Sequence, residues 1–215
     1  MRYPSIIILG APGSGKGTQG KALDALPEFF HCACGDVFRS VDPQTEAGRI
    51  FQDYSTKGQL VPDDVTIQLW QDYIRKNESN QTFLPSKQCL VLDGIPRNVR
   101  QAKLLELFIE VRMVFHLQCE TKGELVARIQ KRALREKRHD DAQETVINQR
   151  LKIYEAEAQL LLKHYSFSQV HHIDALQPAP TIHGRIIACY RNSSYSQTLP
   201  SPQKSNKVPY ESPSK

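Results

Sequence analysis

The chain has 215 residues, of which 40% are hydrophobic and 24% charged, a size and composition that suit one soluble globular domain with room for small inserts. The net charge of +5 is not a run: Lys204, Lys207 and Lys215 crowd the C-terminal end and the other informative cations are scattered arginines, a pattern for a compact polyphosphate and not for nucleic acid. Five cysteines without a C-x-x-C pair exclude a disulfide framework and a ribbon-type zinc site, and no apolar run is long enough for a membrane span or a signal peptide, so a soluble monomer in the reduced cytoplasm, with no membrane partner, is expected.

Ile6-Ile7-Ile8-Leu9 predicts a buried strand over about 5–9, which breaks into G-A-P-G-S-G-K-G-T-Q at residues 10–19 and then into a helix reaching about Leu26. Gly10, Gly13 and Gly15 let the backbone turn its N–H groups inward, and the helix adds the positive end of its dipole. Lys16 supplies a mobile cation, and Thr18 a hydroxyl near a metal position. The usual P-loop places Ser or Thr directly after the lysine; here Gly17 intervenes. Gly15 to Gly20 also satisfies G-x-G-x-x-G, but that dinucleotide fingerprint needs its first glycine at the strand end, and Lys16 would crowd a pyrophosphate. The segment reads as a phosphate cradle.

Phe29 to Ala33 predicts a short strand ending at Gly35-Asp36, with Cys32 and Cys34 as small packing residues and a helix suggested by Val37, Phe38 and Val41. Ala47, Ile50, Phe51 and Tyr54 share one helical face between Glu46 and Lys57, and Gly58 stops that helix. Pro62-Asp63 opens another, with acidic residues in its first turn and Val65, Leu69 and Tyr73 on one face. Cys89-Leu90-Val91-Leu92 has the continuous apolar character of a buried parallel strand and ends in Asp93-Gly94. Beyond it the pattern predicts a helix over 99–108, a strand over 114–117, a helix over 121–134, a charged break, a long helix over 142–163, a strand over 169–173 and a helix over 182–189. His171 and His172, adjacent on a strand, point to opposite faces and do not form a metal pair. Strands alternating with helices give an α/β fold, a parallel β-sheet of about five strands covered on both faces. From Asn192 onward no apolar period survives, so residues 1–191 are expected to form the domain and the Ser/Pro-rich tail 192–215 to be disordered.

With the cradle, Gly35-Asp36, Asp93-Gly94-Ile95-Pro96-Arg97 and Arg138-x-Asp140-Asp141 in that order, the chain resembles the nucleoside monophosphate kinases, and among them the adenylate kinases, over roughly residues 4–190. The resemblance implies a helical AMP-binding flap at about 34–63 and a short lid at about 132–140. It implies that ATP is held by Gly13, Ser14, Gly15, Lys16, Gly17 and Thr18, by Arg128 stacked on its adenine, by Arg132, and by Gln177 in the loop 174–178. For AMP it implies Cys34, Arg39, Gln59, Leu60, Val61, Gly94, Arg97, Gln101, Arg138 and Arg150. Arg39 and Arg97 would grip the phosphate and Gln101 would read the adenine edge, an amide being able to donate and accept at once. Lys16, Arg97, Arg132, Arg138 and Arg150 are then the catalytic set, and Asp93 orients water on Mg²⁺. No cysteine lies in the lid, so no zinc is expected. The activity implied is Mg²⁺-dependent, reversible transfer of the ATP γ-phosphoryl group to AMP, giving two ADP. Blander roles compete: Asp93 as an N-cap of the next helix, Arg39 as a surface residue, and the lid arginines as a solvated helix face.

Two departures from the family pattern bear on the site. Cys34 stands where a threonine is usual, and one extra residue separates Asp141 from Arg150. An inserted residue turns the rest of a helix by about 100°, so either the helix starts one residue later or Arg150 is misdirected. The rival acceptors are UMP and CMP, for which Asn98 speaks mildly and against which Gln101 speaks. A catalytically weak P-loop binding protein is the rival from another class. A guanine-reading switch is disfavoured because the only Asn-Lys pair, Asn206-Lys207, is followed by Val208-Pro209 rather than by x-Asp.

Overall fold

The computed structural model describes residues 2–136 and 143–197. Five parallel strands form one sheet in the order β2-β3-β1-β4-β5: β1 Tyr3–Gly10, β2 Phe29–Ala33, β3 Cys89–Asp93, β4 Ile109–Gln118 and β5 Val170–Asp174. Between and after them run α1 Lys16–Asp24, α2 Cys34–Arg39, α3 Glu46–Thr56, α4 Asp63–Ser79, α5 Val99–Leu105, α6 Lys122–Glu136, α7 Glu144–His164 and α8 Ala179–Asn192.

The alternation of β1 assigns its apolar residues to two cores. Ile7 and Leu9 join Phe30, Leu90, Leu92, Trp70, Ile74 and Leu161 on one face. Ile6 and Ile8 join Phe29, Val91, Phe115, Ile173, Ile182 and Ile186 on the other. Because both faces are covered, the central strand is apolar at every step from Ile6 to Leu9, and Ile6, Ile7 and Ile8 are each 0% exposed. Burying one such side chain contributes about 1.5–3 kcal/mol. β1 is thereby clamped in the middle of the sheet, with Ile8 opposite both Asp93 of β3 and Phe115 of β4. In a parallel sheet all the strands end on one edge, and connections leave that edge in opposite directions at the central strand. A crevice opens there.

Several boundaries differ from the sequence expectation. β4 starts at Ile109, five residues earlier, since Ile109 and Met113 are buried although Glu110 and Arg112 interrupt the apolar pattern. α8 starts at Ala179 with a proline in its first turn, a position that tolerates the missing N–H. α5 stops at Leu105 and α7 begins at Glu144 rather than near Ala142. Regular structure also continues past residue 191. α8 includes Asn192, and a 3-10 turn covers Ser194–Gln197. Tyr195 packs against the second core, with the Arg112 guanidinium 5.5 Å from its ring centre. Residues 198–215 lie outside the described part. No helix among the described residues is long and apolar enough to cross a membrane.

Candidate active site

The crevice at the strand ends holds a cavity of about 1070 Å³, into which the cradle, the α2–α3 segment, β3's end and helices α6 and α7 all open. On its floor, β1 delivers the chain into the turn at Gly10. Gly13 has φ 84° and Gly15 φ 98°, left-handed values that only glycine adopts without strain. A Cβ on Gly13 would also lie 2.7 Å from the Leu125 carbonyl oxygen. The turn feeds straight into α1, whose N-cap is Gly15 with no side-chain cap, so the first N–H groups of that helix are left for a ligand. Ser14 is 1% exposed, and its Oγ has no hydrogen-bond partner among the described residues. A buried hydroxyl without a partner is costly, and a phosphate oxygen at the cradle would satisfy it.

Lys16 Nζ folds back over the loop and donates to the Gly10 and Ala11 carbonyl oxygens at 2.7 and 3.0 Å. Burial pushes its pKa down to about 8; Asp93 opposes that shift, while the guanidiniums of Arg97, Arg132 and Arg150 add to it. All of these charged groups line the same cavity. Asp93, 8% exposed at the end of β3, stays ionised: burial works against its charge, but His31, Lys16 and Arg97 outweigh burial and hold it below the usual carboxylate range. His31 Nε2 lies 3.6 Å from Asp93 Oδ2, beyond hydrogen-bond length. Asp93 is not a helix cap, because the N-cap of α5 is Asn98, whose side chain accepts from the Gln101 N–H at 2.8 Å.

Every described ATP- and AMP-side residue expected from the sequence lines this cavity: Gly13 to Thr18, Arg128, Arg132 and Gln177 on one side, and Cys34, Arg39, Gln59, Leu60, Val61, Gly94, Arg97, Gln101 and Arg150 on the other. Arg138 lies outside the described residues, as do residues 137–140 of the expected lid; Arg132 and the four residues after it belong to α6. α7 begins at Glu144, later than expected from the sequence, and Arg150 on it lines the cavity. Gly58 at the end of the α3 segment abuts α7: a Cβ there would meet the Val146 carbonyl oxygen at 2.8 Å and Arg150 Cγ at 3.3 Å.

Most polar groups on the acceptor side are already paired. Arg39 Nη2 donates to Asp36 Oδ1 at 2.6 Å, and Arg97 Nε donates to the Gly94 carbonyl at 2.8 Å. Gln101 Oε1 accepts from the Arg97 N–H and its Nε2 donates to Asp63 Oδ1, both at 2.8 Å. Asn98, the residue that pointed towards a pyrimidine acceptor, donates from Nδ2 to Asp63 Oδ1 at 3.0 Å, so its amide is occupied at both ends. Burial pushes the Cys34 thiol up to about 11; it is a neutral packing group beside Gly94. On the ATP side Arg128 bridges Glu124 Oε1, at 2.9 Å, and the Ala175 carbonyl, at 2.8 Å, tying α6 to the loop after β5.

Some cavity-lining residues were not expected from the sequence. Lys131 and Arg135 also line the cavity, and their spacing of four on α6 could have suggested it. His116, within what read only as an apolar strand, faces the cavity. It sits 2.8 Å from the Tyr154 hydroxyl through Nε2 and 3.0 Å from His172 Nδ1 through Nδ1. Burial, then His172 and Lys16, push it down to about 4. His171 instead packs beside Phe115, the opposite-face arrangement expected of neighbours on a strand.

A family model described as adenylate kinase matches residues 8–170. An adenylate kinase of a Cyanothece species is 36% identical over 187 residues, covering 84% of this chain and 92% of its own length. The adenylate kinase of Parabacteroides distasonis is 33% identical over 87% of this chain and 98% of its own, and that of Azobacteroides pseudotrichonymphae 34% identical over 75% and 83%. Cradle, buried carboxylate and cavity-lining arginines thus occur in a chain matched from within β1 to the first residue of β5, and the chain belongs to the adenylate kinase family.

Proposed function

We propose that this protein catalyses the reversible transfer of the γ-phosphoryl group of ATP to AMP, giving two ADP. The observation that carries this reading is the single cavity shared by the cradle and the Cys34–Val61 pocket, with Lys16, Arg97, Arg132 and Arg150 lining it. Two nucleotides entering from the two sides would meet phosphate to phosphate at those charges. The attacking oxygen belongs to an ionised phosphate and needs no general base, so the residues act by position and charge. The cradle N–H groups and Ser14 hold the donor phosphates. Lys16 must release its two loop carbonyls to reach them, an exchange that favours the ligand because it swaps a neutral acceptor for an anionic one. Arg39 and Arg97 orient the acceptor phosphate, and Arg132 and Arg150 compensate charge developing on the group in flight.

Asp93 and Thr18 are the residues that would hold a Mg²⁺. Asp93 remains a hard oxygen anion in a site crowded with phosphate-binding groups, and a Cβ on neighbouring Gly17 would approach Asp93 Oδ2 to 3.4 Å, so the donor chemistry fits that ion. When bound, the cation supplies neutralisation of the phosphate oxygens.

The test is a coupled assay of ADP formation from ATP with AMP, CMP and UMP in turn. AMP is expected to give the highest kcat/KM. A higher value for either pyrimidine nucleotide would replace the acceptor assignment, and no turnover with any of the three would remove the kinase reading.

A further inference from the structure

The Gln101 amide is 1% exposed and is held from two directions. Its Oε1 accepts from the backbone N–H of Arg97 and its Nε2 donates to Asp63 Oδ1, each at 2.8 Å. A peptide N–H can only donate and a carboxylate can only accept. Turning the amide over would set donor against donor at one end and acceptor against acceptor at the other, so only one orientation is satisfied. Asp63 itself is fixed in the first turn of α4, with Asn98 Nδ2 on the same oxygen at 3.0 Å and Arg100 3.7 Å from the other. Each partner of Gln101 uses one hydrogen or one lone pair of the amide. One N–H and one lone pair remain, in a fixed order, for whatever occupies the cavity.

We propose that Asp63 is a specificity-positioning residue that locks the Gln101 amide so that it accepts a base edge carrying an exocyclic N–H donor beside a ring-nitrogen acceptor. Adenine has that edge. Hypoxanthine, with the same ring size, inverts it to a carbonyl oxygen beside a ring N–H. Against a locked amide the inverted edge pairs only by sliding along the pocket, and an amide free to turn would accommodate both. A site built around fixed hydrogen-bonding groups rejects the wrong edge because the buried groups are then left unpaired. The inference rests on the acceptor assignment above, in which Gln101 faces the base of the monophosphate. It adds that the selectivity belongs to the pair Gln101–Asp63 and not to the glutamine alone.

The experiment compares kcat/KM for AMP and inosine monophosphate in the unmodified protein, Asp63→Ala and Asp63→Asn, with ATP as donor. Loss of one orienting hydrogen bond should lower the AMP-to-IMP ratio by about 3- to 10-fold in Asp63→Ala. Asp63→Asn retains an acceptor oxygen and should keep the ratio within about twofold of the unmodified protein. A purely structural role at the start of α4 would depress both substrates together, and an unchanged ratio in Asp63→Ala therefore overturns the proposal. Should the alanine variant fail to fold, Asp63→Ser keeps a good helix-start residue yet is too short to reach Gln101, and it must show the same fall in the ratio. If the unmodified protein uses IMP as well as AMP, the acceptor assignment itself fails; if it prefers AMP and the variants do not shift the preference, only the role of Asp63 does.

Discussion

The two ends of the cavity are built differently. The ATP end takes its shape from backbone: two glycines in left-handed conformations, the start of α1, and a strand that cannot move because both its faces are buried. It offers a bound phosphate its peptide N–H groups and the Ser14 hydroxyl, which has no partner among the described residues. The acceptor end is made of side chains, and several of them are already engaged: Arg39 with Asp36, Arg97 with Gly94, Gln101 with Asp63. A backbone site is as rigid as the sheet that carries it, and it recognises what all nucleoside triphosphates share. A site of mutually held side chains can read a particular base, but its selectivity depends on neighbours that never touch the ligand.

The largest expected effect comes from removing the Lys16 charge beside the cradle. Lys16→Ala should lower kcat by about 10³, the lower end of what charge stabilisation contributes in phosphoryl transfer. Its melting temperature should stay near that of the unmodified protein, because Nζ serves the loop carbonyls and phosphates and not a core. Steady-state kinetics with a thermal melt measure both, and near-normal kcat would break the contrast at its root. Next in size is Gly13→Ala, where a φ of 84° and an approach of 2.7 Å to the Leu125 carbonyl both oppose a side chain. Strain of this kind costs about 1–3 kcal/mol. It should appear as a rise of roughly 5- to 100-fold in KM for ATP with little change in KM for AMP, and an equal rise in both would show that the two ends are not separable. The smallest effect is the pH dependence of the donor side. The Lys16 ammonium, held down to about 8, is lost as pH rises, so ATP affinity should fall between pH 7.5 and 9, by up to about tenfold per charge-assisted contact. AMP affinity should fall less, since arginines stay charged throughout. Titrating KM for each nucleotide in unmodified protein and in Lys16→Ala, whose ATP profile should be flat, isolates the lysine.

Local patterns were enough wherever a short segment builds its own geometry. The run Ile6 to Leu9 followed by G-x-x-G-x-G-K announces both a buried strand and the cradle at its end, because apolar continuity and glycine spacing are properties of consecutive residues. Asp93-Gly94 was legible for the same reason. Patterns misled where a strand or helix is held by partners remote in sequence. Glu110 and Arg112 hid the first half of β4, which exists because Tyr3 of β1 pairs with Ile109 and Met113 is buried. Tyr195 lay in a stretch without apolar period, and its packing came from Arg112 and the second core.

By itself, then, the order of residues determined the α/β alternation, the glycine-rich cradle, the carboxylate at the end of β3 and Arg97 beside it, all of them written in contiguous motifs, whereas Arg39, Arg128, Arg132 and Arg150 were expected only from the family resemblance and Arg135 was not expected at all. Tertiary structure alone decided three things. It started α7 at Glu144 and brought Arg150 to the cavity, since where a helix begins depends on what its first turn packs against. It joined His116, Tyr154 and His172 across a strand, a helix and a neighbouring strand. It brought Asp63 onto Gln101 and Asn98 from 38 and 35 residues away, because hydrogen-bond polarity acts through space and leaves no periodicity in the chain to read.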